Sequence, residues 1–280
     1  MSWRRLLLGA LGVLVLVWLC LMDYHFQRHF GRFVKIGSSY TLDGVEHRLA
    51  PVAAGSWFPY YPVLQSGTAR SIKALYLRFE EVCATLALPL WISGGTLLGA
   101  IRHGGFIPWD DDMDLHMRLE DKARLLHPDT RQALRAAGLE LVTIWGFPRT
   151  DILKVVFTRE NGTELVQYPF LDVLFEGEVD GQWGACRTDL EEPGCTALHL
   201  DETWPEDSVF PLQRLPFEDL QVWAPRQPTV LLDIQYGPGW RDKYMVDYLH
   251  WSIHVAILQR LAENTGVDQE HHDRVHDGDL

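Results

Sequence analysis

The fold of this chain is decided by residues 91–117, which read WISGGTLLGAIRHGGFIPWDDDMDLHM. A glycine pair, Gly94 and Gly95, precedes a short apolar run, and a Pro-Trp pair then leads into four aspartates within five positions. Asp112 and Asp114 are two positions apart, so on a β-strand they project from the same face, about 7 Å apart. Two such carboxylates repel each other unless a cation lies between them, and oxygen ligands suit Mg²⁺ or Mn²⁺. The pattern predicts a metal-assisted transfer of a phosphate-bearing group.

An alternating pattern predicts a β-strand over residues 113–117. The apolar residues Met113, Leu115 and Met117 alternate with the polar residues Asp112, Asp114 and His116. Period-two alternation is typical of a strand with one buried face, and the opposite face here is acidic. A solvated acidic loop is the alternative interpretation, and both the alternation and the preceding glycine turn argue against it.

The glycine pair follows a short apolar strand predicted over residues 90–93, and a helix is predicted to begin near Thr96. Ser93 or Thr96 is suited to cap that helix through its hydroxyl group. A strand, a glycine turn and a helix N-terminus together present backbone N–H groups to an anion. We therefore expect Gly94, Gly95 and Thr96 to bind substrate phosphate, with a plain tight turn as the alternative.

Residues 168–176, YPFLDVLFE, predict a strongly apolar strand with Asp172 as an internal acid. An isolated charge in a buried strand is costly unless it is paired or bound to metal. Asp172 is therefore predicted as a third metal ligand, and a salt bridge to Lys154 or Arg102 is the alternative. Lys154 lies in the predicted strand 152–158, so its amine must reach the surface or face a charged group such as phosphate.

Composition limits the classes of protein to which this chain can belong. It has 280 residues, 47% of them hydrophobic, which is enough for one or two domains. A formal net charge of -13 argues against nucleic-acid binding, which needs a basic surface. An acidic protein that handles a phosphate substrate must neutralise it locally, with a metal ion and a few basic groups. Eleven tryptophans, many beside Pro or Gly, are expected to anchor loops, with stacking on a sugar or base as the alternative.

The N-terminal segment predicts membrane attachment. Residues 1–5 form a basic cytosolic tip, and residues 6–22 are an uncharged apolar run predicted to be a transmembrane signal anchor with the remaining chain in the lumen. A cleaved signal peptide is the alternative, although no small-residue cleavage pattern follows the run. Residues 23–66 are predicted as a stem without regular periodicity. A glycosylation sequon at Asn161 is consistent with a lumenal body.

The four cysteines lack the C-x-x-C spacing of structural zinc sites. Cys83 is predicted to be a small buried side chain. Cys186 and Cys195 bracket a polar loop, and in an oxidising compartment they can form a disulfide; the sequence leaves open whether they do. Periodicity and turn residues predict the remaining elements. Helices are predicted over 68–88, 118–137 (interrupted near Pro128), 227–236 and 251–261. Paired strands are predicted over 139–145 and 152–158, two short strands within 210–225, a loop over 178–207 and a polar tail over 263–280.

Residues 91–117 closely resemble the central motif of the LicD family, which includes bacterial phosphorylcholine transferases. The similarity extends to FLDVLF, to FPLQRLPFEDLQVWAP and to LLDIQYGPGW, so it covers roughly residues 70–241. The resemblance implies an α+β fold, a nucleotidyltransferase-like mixed sheet flanked by helices, for a catalytic domain over residues 67–262. It also implies that Asp112, Asp114 and Asp172 hold the metal and that Gly94 and Gly95 form the phosphate-side turn.

The resemblance implies transfer of a phospho-alcohol, such as ribitol phosphate, glycerol phosphate or phosphocholine, from a CDP-activated substrate to a glycan or glycoprotein, with release of CMP. Asp172 or Asp110 is a candidate to take the proton of the acceptor hydroxyl, and Asp110 alternatively holds the loop. Lys154 and Arg102 are candidates to bind the phosphates, although Arg102 equally suits a cation at a helix C-terminus. His103 is a loop residue or a general base.

Two other functions remain open at this stage. One is a nucleotidyltransferase that releases pyrophosphate, and the other is a catalytically silent glycan-binding or scaffold protein. The expected location is the Golgi or endoplasmic reticulum membrane, in type II orientation, because the single N-terminal anchor with a lumenal body resembles the Golgi-resident animal members of the family. The donor alcohol, the acceptor glycan and the oligomeric state are not fixed by the sequence.

Overall fold

The computed structural model describes residues 30–35, 38–48, 60–143, 152–158, 165–187, 195–197 and 203–241. Contacts divide the chain into two compact units. The first comprises residues 1–42, 46–65 and 244–280, and the second comprises residues 43–45 and 66–243. The apolar run 6–22, the sequon at Asn161, the helix predicted over 251–261 and the tail all lie outside the described residues. Within the described residues, no helix is both long and apolar enough to cross a membrane.

The described residues of the predicted stem include four strands, although the sequence there has no clear periodicity. They are β1 (Phe30–Lys35), β2 (Ser39–Leu42), β3 (Val45–Arg48) and β4 (Tyr60–Leu64). β1 pairs with β4, and β2 pairs with β3. Asp43 and Gly44 connect β2 to β3 with φ angles of 48° and 84°, which is the left-handed backbone of a two-residue hairpin turn. The Asp-Gly dipeptide was a readable signal for this hairpin.

The first helix of the described residues, α1 (Ser66–Thr85), confirms the amphipathic helix predicted over residues 68–88. Its buried face includes Ile72, Leu75 and Phe79, all with no exposed surface. Cys83 on the same face is buried as predicted, and burial raises the pKa of its thiol. The α1 helix packs against strands of the central sheet.

Within the residues that the structure describes, the central sheet has eight strands of mixed direction, which confirms the predicted α+β class. They are β5 (Leu90–Ile92), β6 (Met113–Arg118), β7 (Leu139–Thr143), β8 (Leu153–Thr158), β9 (Leu165–Val179), β10 (Gln182–Arg187), β11 (Thr196–Ala197) and β12 (Thr203–Trp204). The β6–β9 pair is parallel, and β5–β6, β7–β8, β8–β9 and β9–β10 are antiparallel. The long β9 is the centre of the sheet, because it pairs with β6, β8 and β10.

The segment predicted as a loop over residues 178–207 is instead partly in the sheet. β10, β11 and β12 all lie within it, and β9 extends to Val179 before β10 folds back on it. This hairpin pairs segments that lack strong alternation, so periodicity alone could not reveal it. A disulfide joins Cys186 to Cys195, which resolves the alternative that the sequence left open.

Five further helices and one hairpin complete the described fold. The helices are α2 (Gly94–His103), α3 (Lys122–Leu125), α4 (Pro128–Ala136), α5 (Glu206–Val209) and α6 (Pro228–Tyr236), and the hairpin strands are β13 (Gln213–Phe217) and β14 (Leu220–Ala224). A 3-10 turn, Leu119–Asp121, precedes α3, and a break before Pro128 separates α3 from α4, as predicted. Trp109 and Trp240 are buried outside strands and helices, as expected of loop anchors. Trp183 and Trp204 are also buried, but they lie on β10 and β12 instead of in loops.

β6 presents its two faces as predicted, with one exception. Met113, Leu115 and Met117 have no exposed surface, whereas Asp114 is half-buried on the opposite face. His116 shares the face of Asp114 but is 4% exposed. The acidic face of β6 is therefore open near Asp114 and closed two positions further along.

Candidate metal centre

Strand register brings Asp114, Asp172 and Lys154 into one row across three strands. Asp114 on β6 lies opposite Asp172 on β9, and Asp172 lies opposite Lys154 on β8. Neighbouring strands are about 4.8 Å apart, so side chains that share a face in register are held close together. The row joins residues separated by up to 58 positions in the sequence, and only the folded sheet assembles it.

Three carboxylates converge at one end of this row. Asp112, Asp114 and Asp172 each offer an oxygen atom, and these atoms lie within 4.8 Å of one another. All three residues are half-buried. The two aspartates predicted from the motif and the third predicted from the apolar strand therefore form a single cluster.

The glycine turn lies against this cluster. The backbone N–H of Gly95 donates to Oδ2 of Asp114 at 2.9 Å. A Cβ on Gly94, whose φ is +50°, would lie 2.8 Å from Oδ2 of Asp114, and a Cβ on Gly95 would lie 2.8 Å from Oδ2 of Asp110. The glycines are thus needed because carboxylates occupy the space that side chains would take. The anion that the Gly95 amide binds is the carboxylate of Asp114, and substrate phosphate binding by this turn remains a prediction.

Neither predicted cap forms a side-chain cap on α2. Ser93 is the residue before the helix, and its side chain makes no capping hydrogen bond. The hydroxyl oxygen of Thr96 instead accepts from the backbone N–H of Asp114 at 2.7 Å. The backbone of Ser93 also donates to the carbonyl oxygen of Asp114, at 3.1 Å. The N-terminal turn of α2 therefore positions Asp114 directly.

Burial and repulsion between carboxylates both disfavour ionisation in the cluster. Burial and the charge of Asp172 raise the pKa of Asp114 to about 6, while His116 and the N–H groups of Gly95 and Thr96 act in the opposite direction. Burial also raises the pKa of Asp112 well above its ordinary range, with added repulsion from Asp114 and Asp110. Groups that resist ionisation because other carboxylates surround them are the groups that a cation would stabilise.

Asp110 belongs to the same electrostatic cluster. Burial raises the pKa of Asp110, and the charges of Asp114 and Asp111 raise it further, whereas a hydrogen bond from Asp112 lowers it. Its backbone N–H donates to the carbonyl oxygen of Ile107 at 2.9 Å, so the residue also shapes the loop before β6. The contact with Ile107 matches the structural interpretation of Asp110, and its chemical role stays a prediction.

Lys154 is paired with Asp172, so the predicted salt bridge and the carboxylate cluster both exist. Its Nζ lies 2.6 Å from Oδ1 of Asp172 and 3.4 Å from the centre of the Phe170 ring. Within the row formed by Asp114, Asp172 and Lys154, this amine supplies the positive charge. A lysine in this place lowers the cost of burying Asp172 in the absence of a metal ion.

Arg102 and His103 lie away from the cluster, at the C-terminal end of α2. The guanidinium of Arg102 donates to the carbonyl oxygen of Trp240 at 3.0 Å and to the ring of His103 at 3.0 Å. Arg102 is eight positions after Gly94 in α2, a distance of about 12 Å along the helix axis. These contacts match the interpretation of Arg102 as a helix C-terminal cation. The His103 ring makes an edge contact with Trp109, 6.3 Å between centroids.

A buried polar chain next to the cluster was missed at the level of sequence. Nδ1 of His116 is hydrogen-bonded to Oε1 of Glu176, and the indole N–H of Trp183 donates to Oε2 of Glu176 at 2.6 Å. Glu176 has no exposed surface. The signal was present, because Glu176 ends the same apolar strand in which Asp172 was singled out. Its partners, however, come from β6 and β10, which the sequence does not reveal as neighbours.

The residues present fit a divalent cation. The cluster offers only oxygen ligands, its carboxylates are close enough to share one ion, and their mutual repulsion is what such an ion would relieve. Hard oxygen ligands of this kind are typical of Mg²⁺ and Mn²⁺ sites that act on phosphate substrates.

Comparison with known families agrees with the geometry. The profile described as "LicD/FKTN/FKRP, nucleotidyltransferase domain" matches residues 87–227, just over half of the chain. The chain belongs to the LicD family. The matched range holds the glycine turn, the three clustered aspartates and the β13–β14 hairpin, so it includes the whole candidate site.

Proteins similar to this chain include two named transferases and one uncharacterised protein. A mouse protein named ribitol 5-phosphate transferase FKRP is 31% identical over 154 residues, 53% of this chain and 28% of that protein. A lipopolysaccharide cholinephosphotransferase, LicD of Haemophilus influenzae, is 46% identical over 48 residues, 17% of this chain and 18% of that protein. An uncharacterised protein of Rickettsia prowazekii is 27% identical over 202 residues, 70% of this chain and 65% of that protein. The chain thus spans less than two thirds of the length of each of these relatives.

Proposed function

We propose that this LicD-family chain is a metal-dependent phosphotransferase that moves a phospho-alcohol from a CDP-activated substrate to a glycan hydroxyl and releases CMP. The observation that carries the proposal is the cluster of Asp112, Asp114 and Asp172, with carboxylate oxygens within 4.8 Å of one another. The names of the relatives support the substrate class, because they are ribitol-phosphate and cholinephosphate transferases. A nucleotidyltransferase-like arrangement of the mixed sheet is part of the proposal.

Asp112, Asp114 and Asp172 would hold Mg²⁺ or Mn²⁺. When bound, such an ion neutralises the charge of a diphosphate and of the departing CMP. The chain itself orients Asp114 through the N–H of Gly95 and the hydroxyl of Thr96. Positioning of this kind contributes more to the rate than proton abstraction by a carboxylate, which is a weak base. Asp110 is the candidate to receive the proton of the acceptor hydroxyl, because Asp112, Asp114 and Asp172 would hold the metal ion.

Lys154 is proposed to bind the phosphates of the CDP-activated substrate. Its amine is already at the edge of the carboxylate cluster, 2.6 Å from Asp172. A carboxylate committed to a divalent cation has less need of a second positive partner, so the amine becomes available to another anion. The flexible four-carbon stem of lysine suits such a change of partner.

The proposal is tested by replacing Asp112 and Asp114 one at a time by Asn and measuring CMP release from CDP-ribitol, CDP-glycerol and CDP-choline with Mg²⁺ or Mn²⁺. We expect each variant to lose at least about 100-fold in rate, because the isosteric amide cannot supply the negative charge. Glu120→Gln, a change of an exposed carboxylate on the turn after β6, is the matched control and is expected to keep full activity. Full activity in both Asp variants would refute the metal assignment.

The products separate this proposal from its rivals. Free CMP indicates phosphotransfer, whereas pyrophosphate from a nucleoside triphosphate indicates a nucleotidyltransferase. The absence of both products, together with glycan binding that does not need metal, would identify a binding protein. Screening the three CDP-alcohols with defined glycan acceptors also names the donor.

We further propose that the chain is anchored by residues 6–22 and works in the lumen of the Golgi or endoplasmic reticulum. The disulfide between Cys186 and Cys195 supports this proposal, because disulfides persist mainly in oxidising compartments. Protease protection of the C-terminal part in sealed microsomes, lost when detergent is added, is the expected result. Cleavage without detergent would contradict the proposed orientation.

A further inference from the structure

The tip of the β13–β14 hairpin contacts the segment that leads into the metal cluster. This segment, residues 104–112, is called here the aspartate loop. Glu218 lies in the two-residue turn of the hairpin, and its Oε1 accepts from the backbone N–H of Phe106 at 3.1 Å. The N–H of Glu218 in turn donates to the carbonyl oxygen of Gly104 at 2.7 Å. The hairpin and the aspartate loop are therefore joined by a reciprocal pair of hydrogen bonds.

The aspartate loop is confined from two sides. A Cβ on Gly105 would overlap the carboxylate of Glu218, and a Cβ on Gly99 of α2 would overlap the carbonyl oxygen of Gly105. The loop backbone therefore passes between a helix and a carboxylate with no room for side chains at either contact. The rings of Phe106 and Phe217 add an edge contact, with 4.8 Å between centroids.

Glu218 holds this position in a backbone conformation that costs free energy. Its φ is +53°, in the left-handed region that Gly or Asn adopts more easily. A hairpin turn that needed only its backbone shape would be served better by those residues. Strained backbone of this kind is characteristic of positions where a side chain has a task, and the hydrogen bond to Phe106 supplies one.

We propose that Glu218 is a positioning residue for the metal cluster, acting through the aspartate loop on Asp110 and Asp112. Asp114 is fixed separately by β6, Gly95 and Thr96. Asp110 and Asp112 lie in the aspartate loop, whose course is held by the hydrogen bonds of Glu218. This inference rests on the proposed metal-binding function and adds a residue that does not contact the metal or the substrate.

The neighbouring residue Asp219 provides a matched control. It lies in the same turn, but its carboxylate points to α1, where Nζ of Lys73 is 2.5 Å away. Lys73 has a second partner, Asp43, at 2.6 Å. Asp219→Asn therefore weakens the attachment of the hairpin without removing the hydrogen bond to the aspartate loop.

The test is calorimetric titration of Mn²⁺ into the purified full-length chain and into three variants. Glu218→Ala is expected to raise the Kd for Mn²⁺ about tenfold, the loss typical when a partner that orients metal ligands is removed. Glu218→Gln is expected to stay within twofold of the wild type, because its amide oxygen still accepts from Phe106. Asp219→Asn is expected to lower the Tm while leaving the Kd unchanged. Should Glu218→Ala not fold, Glu218→Asp withdraws the carboxylate by one methylene and is expected to raise the Kd in the same direction.

An unchanged Kd in the folded Ala or Asp variant of Glu218 would overturn the positioning role. Equal losses in Glu218→Ala and Asp219→Asn would also overturn it, because they would indicate general destabilisation. Mn²⁺ binding by the wild type without CMP release would refute the proposed function while leaving the role of Glu218 to be decided by the Kd comparison. A wild type that binds no Mn²⁺ would overturn both proposals.

Discussion

Asp114 is the residue at which the electrostatic cost of the cluster can be measured most directly. Burial and the charge of Asp172 raise its pKa from an ordinary 3.8 to about 6. Because the folded chain then binds a proton more readily than the unfolded chain, the stability that this group contributes is full below pH 3.8 and is lost as the pH rises through about 6. Without metal, Asp114→Asn should therefore raise the free energy of unfolding by on the order of 2 kcal/mol at pH 7.5 and change it little below pH 4.

This prediction is checked by thermal unfolding in EDTA between pH 4 and 8. The Tm of Asp114→Asn should exceed that of the wild type by several degrees at pH 7.5, and the difference should shrink as the pH falls. Glu120→Gln replaces an exposed carboxylate and should show no such trend. A pH-independent difference, or a lower Tm for Asp114→Asn at pH 7.5, would contradict the assignment of a repelled carboxylate.

Lys154 is the second residue with a distinct expected outcome. Lys154→Met removes the cation beside Asp172, so Mn²⁺ should bind at least as tightly as in the wild type. If the amine binds phosphate, the KM for the CDP-activated substrate should rise about tenfold, as expected when one charged hydrogen-bonding partner of the substrate is lost. Lys122→Met, in which the lost amine contacts the ring of Phe175, is the control. Weaker Mn²⁺ binding with an unchanged KM would mean that Lys154 only supports the fold of the site.

At the scale of elements, the turn between β5 and α2 can be tested with two equivalent glycines. Gly95 and Gly67 are each the second residue of a helix, α2 and α1 respectively. A Cβ would meet nothing within 4 Å at Gly67 but would lie 2.8 Å from Oδ2 of Asp110 at Gly95. Gly95→Ala should therefore displace the carboxylates and raise the Kd for Mn²⁺ several-fold, while Gly67→Ala should leave it unchanged. Calorimetric titration of Mn²⁺ measures both Kd values. Equal values for the two variants would show that the close approach of Gly95 to the carboxylate of Asp110 is not required.

Elements with a strong local signal were predictable. The α1 helix follows from its apolar spacing, β6 from its alternation, and the hairpin β13–β14 from its short strands around a turn. The strands β10, β11 and β12 were not predictable, because what makes them strands is pairing with β9 and with one another. The hairpin at Asp43-Gly44 lies between these cases, since its turn residues gave a signal that its flanking residues did not reinforce.

At the scale of the whole molecule, the disulfide closes a loop between residues nine positions apart. Closing a loop of this length restricts the unfolded chain and stabilises the fold by about 2.5 kcal/mol on the chain-entropy estimate. Reduction should therefore lower the Tm by roughly 5–10 °C for a domain of this size. The double variant Cys186→Ser/Cys195→Ser should have the lower Tm with or without reductant. A wild-type Tm that does not respond to reduction would contradict a stabilising disulfide.

The candidate site was predictable in its chemistry but not in its assembly. Asp112 and Asp114 follow from a local motif, and Asp172 from the cost of a charge in an apolar strand. The pairing of Lys154 with Asp172, the His116–Glu176–Trp183 chain and the support from Glu218 all join distant segments. The sequence contains the residues that make these contacts, but it does not show which strands are neighbours in the sheet.

The row formed by Asp114, Asp172 and Lys154 has a consequence for how the proposed function could be altered. Backbone hydrogen bonds between three adjacent strands set the spacing of these side chains. Their positions should therefore stay the same when the connecting loops are replaced. Asp110 and Asp112 lie in the loop before β6, outside this paired row of the sheet. Under the proposed function, efforts to change the choice of alcohol or acceptor should therefore replace loops around the row and leave the three strands unchanged.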